Sequence, residues 1–307
     1  VTPLAPDDAD SARRLSRGFL SLLALTFGLI VLGALVRAHE AGLACPDWPL
    51  CFGEVIPELD VKVAFEWTHR VVAGAVSLIF AGLGWRVLRR PGVRRVAAGH
   101  LVVGALLLAV QILLGALTVW KLLASWSVTS HLITGNAFAV TLLWTGIALR
   151  EAASPSPPRS AVPLGARAGV TVLAVLLVAQ MVLGGLVSSR FAGLACPEWP
   201  ACNGGLWFPS WRGTVGLALL HRWNGTALIA VFGATAFATR SLRPLARLCA
   251  IALVLGILQV GLGIANVLLG IPVEITGAHS ALAAALVMTV SLAVREAWRP
   301  SATTGET

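Results

Sequence analysis

Of 307 residues, 57% are hydrophobic and 12% charged, with a mean hydropathy of +0.84, whereas a soluble domain carries roughly 25% charged residues. That balance excludes a water-soluble globular domain and requires a bilayer as partner. The net charge of +9 would suit nucleic acid, but the basic residues lie between hydrophobic segments and not in one patch, which argues for membrane topology and no nucleic-acid partner.

A spanning helix needs about 20 mostly apolar residues. Eight such stretches run at about 18–38, 61–85, 96–120, 125–149, 168–189, 213–239, 246–268 and 274–295. The first follows Arg13, Arg14 and Arg17; it is longer than a signal-peptide core and no small-residue cleavage site follows it, so it reads as a span. The loop A-G-L-A-C-P-D-W-P-L-C (41–51) comes next, with Cys45 and Cys51 flanking a Pro and a Trp. The second stretch carries F-E-W-T-H-R, with Glu66, His69 and Arg70. Five arginines, Arg86, Arg89, Arg90, Arg94 and Arg95, precede the third, which holds Gln111; the fourth holds His131. The Pro/Ser-rich run E-A-A-S-P-S-P-P-R-S (151–160) then reads as a flexible join.

After the join the pattern restarts. V-L-G-G-L-V echoes the earlier V-L-G-A-L-V, and A-G-L-A-C-P-E-W-P-A-C (192–202) echoes the first loop with Cys196 and Cys202. The sixth stretch holds His221 and Arg222, the seventh Gln259 and Cys249, the eighth His279. A tandem duplication follows, divided into a unit at 15–150, a linker at 151–167 and a unit at 168–297. The fold class expected is an all-α integral membrane protein, with eight transmembrane helices forming two tandem four-helix bundles in a parallel pseudo-twofold repeat. Sixteen of the 23 Lys and Arg residues fall in connections on one side, which the positive-inside rule makes cytoplasmic. Both termini and the linker are then inside, the cysteine loops outside, and the chain is a multi-pass protein of the cell membrane.

A histidine in hydrocarbon is a functional hypothesis by default. His69, His131, His221 and His279 stand roughly 9–14 Å below the outer ends of their helices, by a rise of about 1.5 Å per residue. Even-numbered helices run outside to inside, so paired helices hold their imidazoles at one depth, as axial ligation of a planar haem requires. Two histidines per site without thiols or carboxylates are too few for zinc or copper. His39 and His100 have no repeat partner and are taken as interfacial, and Cys249 as a small buried thiol. Arg70 and Arg222 each follow a histidine inside an apolar helix; haem propionates are candidate partners, and a carboxylate or the interface is the other reading. Glu66 precedes His69 by three, where the second copy has Ala218. A carboxylate in one copy alone has the character of a catalytic base or charge stabiliser, with pairing to Arg70 as the alternative. The cysteine pairs face an oxidising compartment and are expected as disulfides Cys45–Cys51 and Cys196–Cys202. Gln111 and Gln259 are read as helix-packing hydrogen bonds ahead of haem contacts.

With Glu66 and His69 in F-E-W-T-H-R, His131, His221 in H-R-W-N-G-T, His279 and the two loop cysteine pairs, the sequence from about 15 to 297 resembles the haem A synthases. The resemblance implies that His221 and His279 ligate a resident haem b, and that His69 and His131 hold the substrate, haem O. It further implies that Glu66 takes part in oxidising the ring methyl, through an alcohol, to a formyl group. Haem O synthase and cytochrome oxidase assembly factors are then expected partners, beside the lipid bilayer. Two other classes compete. A dihaem electron-transfer cytochrome would have no need of Glu66, and a parallel-repeat transporter would carry no haem.

Overall fold

The computed structural model describes residues 4–155 and 161–299. Eight helices run in chain order: α1 (Pro6–Ala38), α2 (Val61–Leu88), α3 (Pro91–Trp120), α4 (Ser125–Ala153), α5 (Leu164–Ser189), α6 (Gly213–Ala238), α7 (Leu245–Leu268) and α8 (Val273–Ala297). All are long and apolar enough to cross a membrane, and the protein is an all-α, multi-pass membrane protein. Most expected helix ends agree within a few residues. The largest departure is α1, which starts at Pro6 and not near 18: Pro sits in the first turn with Asp7 and Asp8, both favourable to a helix start. The polar Ser11 and Arg14 hid that extension from a hydropathy reading. Pro91 likewise starts α3 about five residues early. Of the expected linker, residues 156–160 lie outside the described residues.

The chain divides into two compact units, Val1–Ser156 and Pro157–Thr307. In the first, α1 packs on α2, α2 on α3, α3 on α4 and α4 back on α1; in the second, α5 to α8 close the same ring. The first core holds Phe19, Phe80 and Phe138, edge to face at 6.4 and 5.4 Å, among Leu15, Val87, Val93, Leu142 and Leu149. These residues come from the start of α1, the end of α2, the start of α3 and the end of α4, so this core fills the arginine-rich end of the bundle. Leu173, Leu177, Leu228, Phe232, Leu286 and Val290 do the same in the second unit. The opposite half of each bundle is where the histidines lie.

Each cysteine loop is stapled. Cys45–Cys51 and Cys196–Cys202 are disulfide-bonded, with Cα atoms 4.7 and 4.8 Å apart. The two loops differ by one residue at a turn: Cys51 pairs by backbone with Glu54, whereas Cys202 pairs with Leu206. The acidic residue at the loop's centre is matched to that turn. Asp47 accepts the N–H groups of Phe52 and Gly53 (2.7 and 2.8 Å), and Glu198 accepts those of Gly204 and Gly205. The Gly53 and Phe52 amides hold the Asp47 carboxyl below its ordinary value. Its contribution to the loop is therefore fully present above the ordinary carboxylate range and lost only as pH falls through the lowered value.

Candidate haem-binding histidine pairs

His69 lies eight residues into α2 and His131 six into α4, with the same steps for His221 in α6 and His279 in α8. At about 1.5 Å per residue the four imidazoles stand roughly 9–12 Å from the loop ends of their helices. His69 and His131 are close enough to interact electrostatically, and so are His221 and His279. Each unit therefore brings one pair together.

Each ring also leans on a glycine of the preceding helix. A methyl group on Gly33 or Gly184 would come within 3.0 Å of Cε1 of His69 or His221, and one on Gly115 or Gly263 within 3.3 Å of Cε1 of His131 or His279. All four Nδ1 atoms are buried without a hydrogen-bond partner. Burying an unpartnered imidazole nitrogen is unfavourable, and its recurrence at four repeat-related positions marks imidazoles that each keep one nitrogen uncommitted to the protein. Among the described residues no three His, Cys, Asp or Glu side chains cluster to hold a metal ion. Paired histidines that each keep an uncommitted nitrogen suit a haem, which would bring its own further ligands, better than a bare ion.

The carboxylate distinguishing the copies is buried, with Glu66 5% exposed. It accepts the Cys45 N–H at 2.9 Å and forms an ion pair with Arg70. Arg70 also donates to the carbonyls of Cys45 (3.3 Å), Asp47 (2.7 Å) and Leu50. In the second unit Arg222 donates to the carbonyls of Cys196 (2.9 Å) and Ala201 (3.1 Å), and Ala218 packs beneath the disulfide. The donors of both arginines bind loop carbonyls, and Arg70 takes Glu66 as its counter-ion, the carboxylate pairing that was the other reading for it. The i,i+4 spacing puts Glu66 and Arg70 on one face of α2, where a largely buried guanidinium gains from the nearest carboxylate. Glu66 thus joins the His69 helix to the disulfide loop, a carboxylate link that the second unit, with Ala218, does not have.

Gln111 does more than pack helices. Its Nε2 lies 3.2 Å from His131 Nε2, and its Oε1 accepts the Thr134 hydroxyl. Sequence reasoning missed Gln180, whose Nε2 donates to the His221 carbonyl (3.0 Å) and whose Oε1 accepts from Asn224 (2.8 Å). Gly225 makes room, since a methyl group there would stand 2.9 Å from Gln180 Nε2. The first unit has Leu29, Val72 and Ala73 at the positions of Gln180, Asn224 and Gly225. A legible signal was the spacing Gln-x3-Gly at 111–115, 180–184 and 259–263, with Leu29-x3-Gly33 as the exception. His39, capping α1, stacks on Phe65 at 4.3 Å, and Cys249 is a buried free thiol.

A polytopic membrane protein of two four-helix units, each with a half-buried histidine pair beneath a disulfide-stapled loop, is the class these features define. Residues 17–291 match the family model described as cytochrome oxidase assembly protein, and the chain belongs to that family, COX15-CtaA. It is 33% identical to "Heme A synthase" of Halalkalibacterium halodurans over 213 aligned positions, covering 66% of this chain and 70% of that protein. With "Heme A synthase" of Shewanella oneidensis it shares 28% identity over 92% of this chain and 96% of the relative. A "Protoheme IX farnesyltransferase" of Chloroflexus aurantiacus is 34% identical over 48% of this chain, a match that takes in 25% of that longer protein.

Proposed function

We propose that this chain is a haem A synthase: a membrane oxidoreductase that oxidises a ring methyl of haem O, through an alcohol, to the formyl group of haem A. The observation that carries the reading is the pair of like histidine sites made unlike by one buried carboxylate, Glu66 against Ala218. The relatives named above support the activity. In this reading His221 and His279 hold a resident haem b, and His69 and His131 hold haem O as substrate. A resident haem would supply a one-electron carrier.

The chain's own residues then have defined work. His69 and His131 would hold the substrate from α2 and α4. Each two-electron oxidation of the methyl group would need an external electron acceptor, and Glu66 would take up the proton released with those electrons at a carboxylate oxygen. Arg70 positions Glu66 and keeps the loop closed over the site. Feeding cells a supply of haem O and chromatographing the haems extracted afterwards tests the activity. Haem A formed only when this chain is expressed is the expected result; unchanged haem O would remove the proposal.

The assignment of resident and exchangeable sites has a second support. Hydrogen bonds across α5 and α6 from Gln180 tie the His221 helix in place, whereas Leu29 and Val72 leave the corresponding seam of α1 and α2 to apolar contact. A cofactor should be held and a substrate released. Interhelical hydrogen bonds in a membrane contribute roughly 0.6–2 kcal/mol each, so Q180L/N224V is expected to lose haem b to an excess of apomyoglobin about tenfold faster than wild type. An unchanged rate would detach the clasp from haem retention.

Haem O synthase is the expected supplier of substrate, a link supported by the farnesyltransferase that carries a segment similar to this chain. Both termini and the linker are assigned to the cytoplasm and the disulfide loops to the outside, from the arginine excess. A phosphatase reporter that needs the periplasm should be silent when fused at residue 160 and active at residue 53. The opposite pattern would invert the topology.

A further inference from the structure

At the arginine-rich end of the first unit, α1 and α2 border a cavity of about 470 Å³. Its rim is Arg14 from α1 with Arg86, Arg89 and Arg90 from α2, and Leu15 and Leu83 give it apolar walls. No carboxylate lines it. Arg14 reaches the Ser11 hydroxyl at 3.4 Å, and none of the four arginines forms an ion pair among the described residues. Arg89 lies over the indole of Trp85, 4.4 Å from the ring centroid, and Trp85 is itself exposed. An exposed tryptophan at a helix end marks the headgroup level of a bilayer, so the rim is at the depth of lipid phosphates and the walls at the depth of the upper acyl chains.

Topology alone does not account for this cluster. The second unit has the same helices in the same order, and the positions equivalent to Arg14, Arg86, Arg89 and Arg90 are Gly165, Ala238, Ser241 and Leu242. The second unit carries its arginines at this end elsewhere, at Arg240, Arg243 and Arg247. Four guanidinium groups, none in a direct ion pair among the described residues and only Arg14 within electrostatic reach of a carboxylate, that of Asp10, line a cavity with apolar walls and suit an anion whose remainder is hydrophobic.

We propose that this cavity is a binding site for an anionic glycerophospholipid, its phosphate held by Arg14, Arg86, Arg89 and Arg90 and its acyl chains lying against Leu15 and Leu83 in the seam of α1 and α2. The site is independent of which histidine pair takes the substrate.

The test uses the full chain, delipidated in mild detergent and equilibrated with phosphatidylcholine and phosphatidylglycerol in equal amounts, with retained lipid counted by native mass spectrometry. Wild type should keep phosphatidylglycerol selectively. R14Q/R86Q/R89Q/R90Q should lose that selectivity by roughly 100-fold or more, as expected for several basic residues acting on one anionic headgroup. R240Q/R243Q/R247Q, altered at the same end of the second unit, should behave as wild type. Circular dichroism and the intact disulfides report folding, and R86Q/R89Q, expected to lose part of the selectivity, replaces the fourfold variant if that one does not fold. Equal retention by wild type and the R14Q/R86Q/R89Q/R90Q variant, or equal loss in the second-unit variant, would overturn the site. Displacement of the lipid by millimolar inorganic phosphate would overturn the lipid and leave a free-phosphate site.

Discussion

Glu66→Gln is expected to fold and to bind haem, while haem A formation falls by about 10² to 10⁴, the usual cost of losing a general base. Extracts should show haem O, with some alcohol intermediate. The substitution keeps an amide oxygen for the Cys45 N–H and removes only the charge facing Arg70. That leaves a second cause to separate, because breaking a buried ion pair costs about 3–5 kcal/mol through the charge left behind. E66Q/R70Q settles it, since no lone charge remains. If Glu66 acts on the substrate, this variant is as inactive as Glu66→Gln; if the carboxylate serves only to neutralise Arg70, haem A formation returns.

The second large effect concerns the histidines. His221→Ala or His279→Ala should strip the resident haem b, removing its Soret absorbance from the purified protein. His69→Ala or His131→Ala should leave that absorbance and abolish turnover. The four side chains look alike: each lies on a glycine and has an unpartnered Nδ1. The expected difference therefore arises from what surrounds them, Glu66 above His69 and the Gln180 clasp behind His221. Loss of haem b from the variants of the first unit, with normal spectra in those of the second, would exchange the two roles.

The helices were legible because hydropathy and length are sufficient to define a membrane span, and the duplication because the cysteine loops are nearly identical in sequence. The histidines could be read from the cost of burying a polar ring. Other features required coordinates. The ring of loop carbonyls and Glu66 around Arg70 is one of them. Gln180 looks like any polar residue in an apolar helix until Gly225 is seen to clear a path to the His221 carbonyl. The start of α1 was hidden for a different reason: residues 6–17 lie beyond the apolar stretch, and proline and acidic first-turn chemistry set that end.

The central claim is that one chain holds two haems in unlike roles. Chromatography of the haems extracted from purified protein, expressed together with a haem O synthase, tests it most directly. The account predicts haem b in wild type and in His69→Ala alike, with haem O or haem A present in wild type and absent from His69→Ala. Haem b alone in wild type, at two per chain despite abundant haem O, would contradict it and identify a dihaem electron-transfer cytochrome.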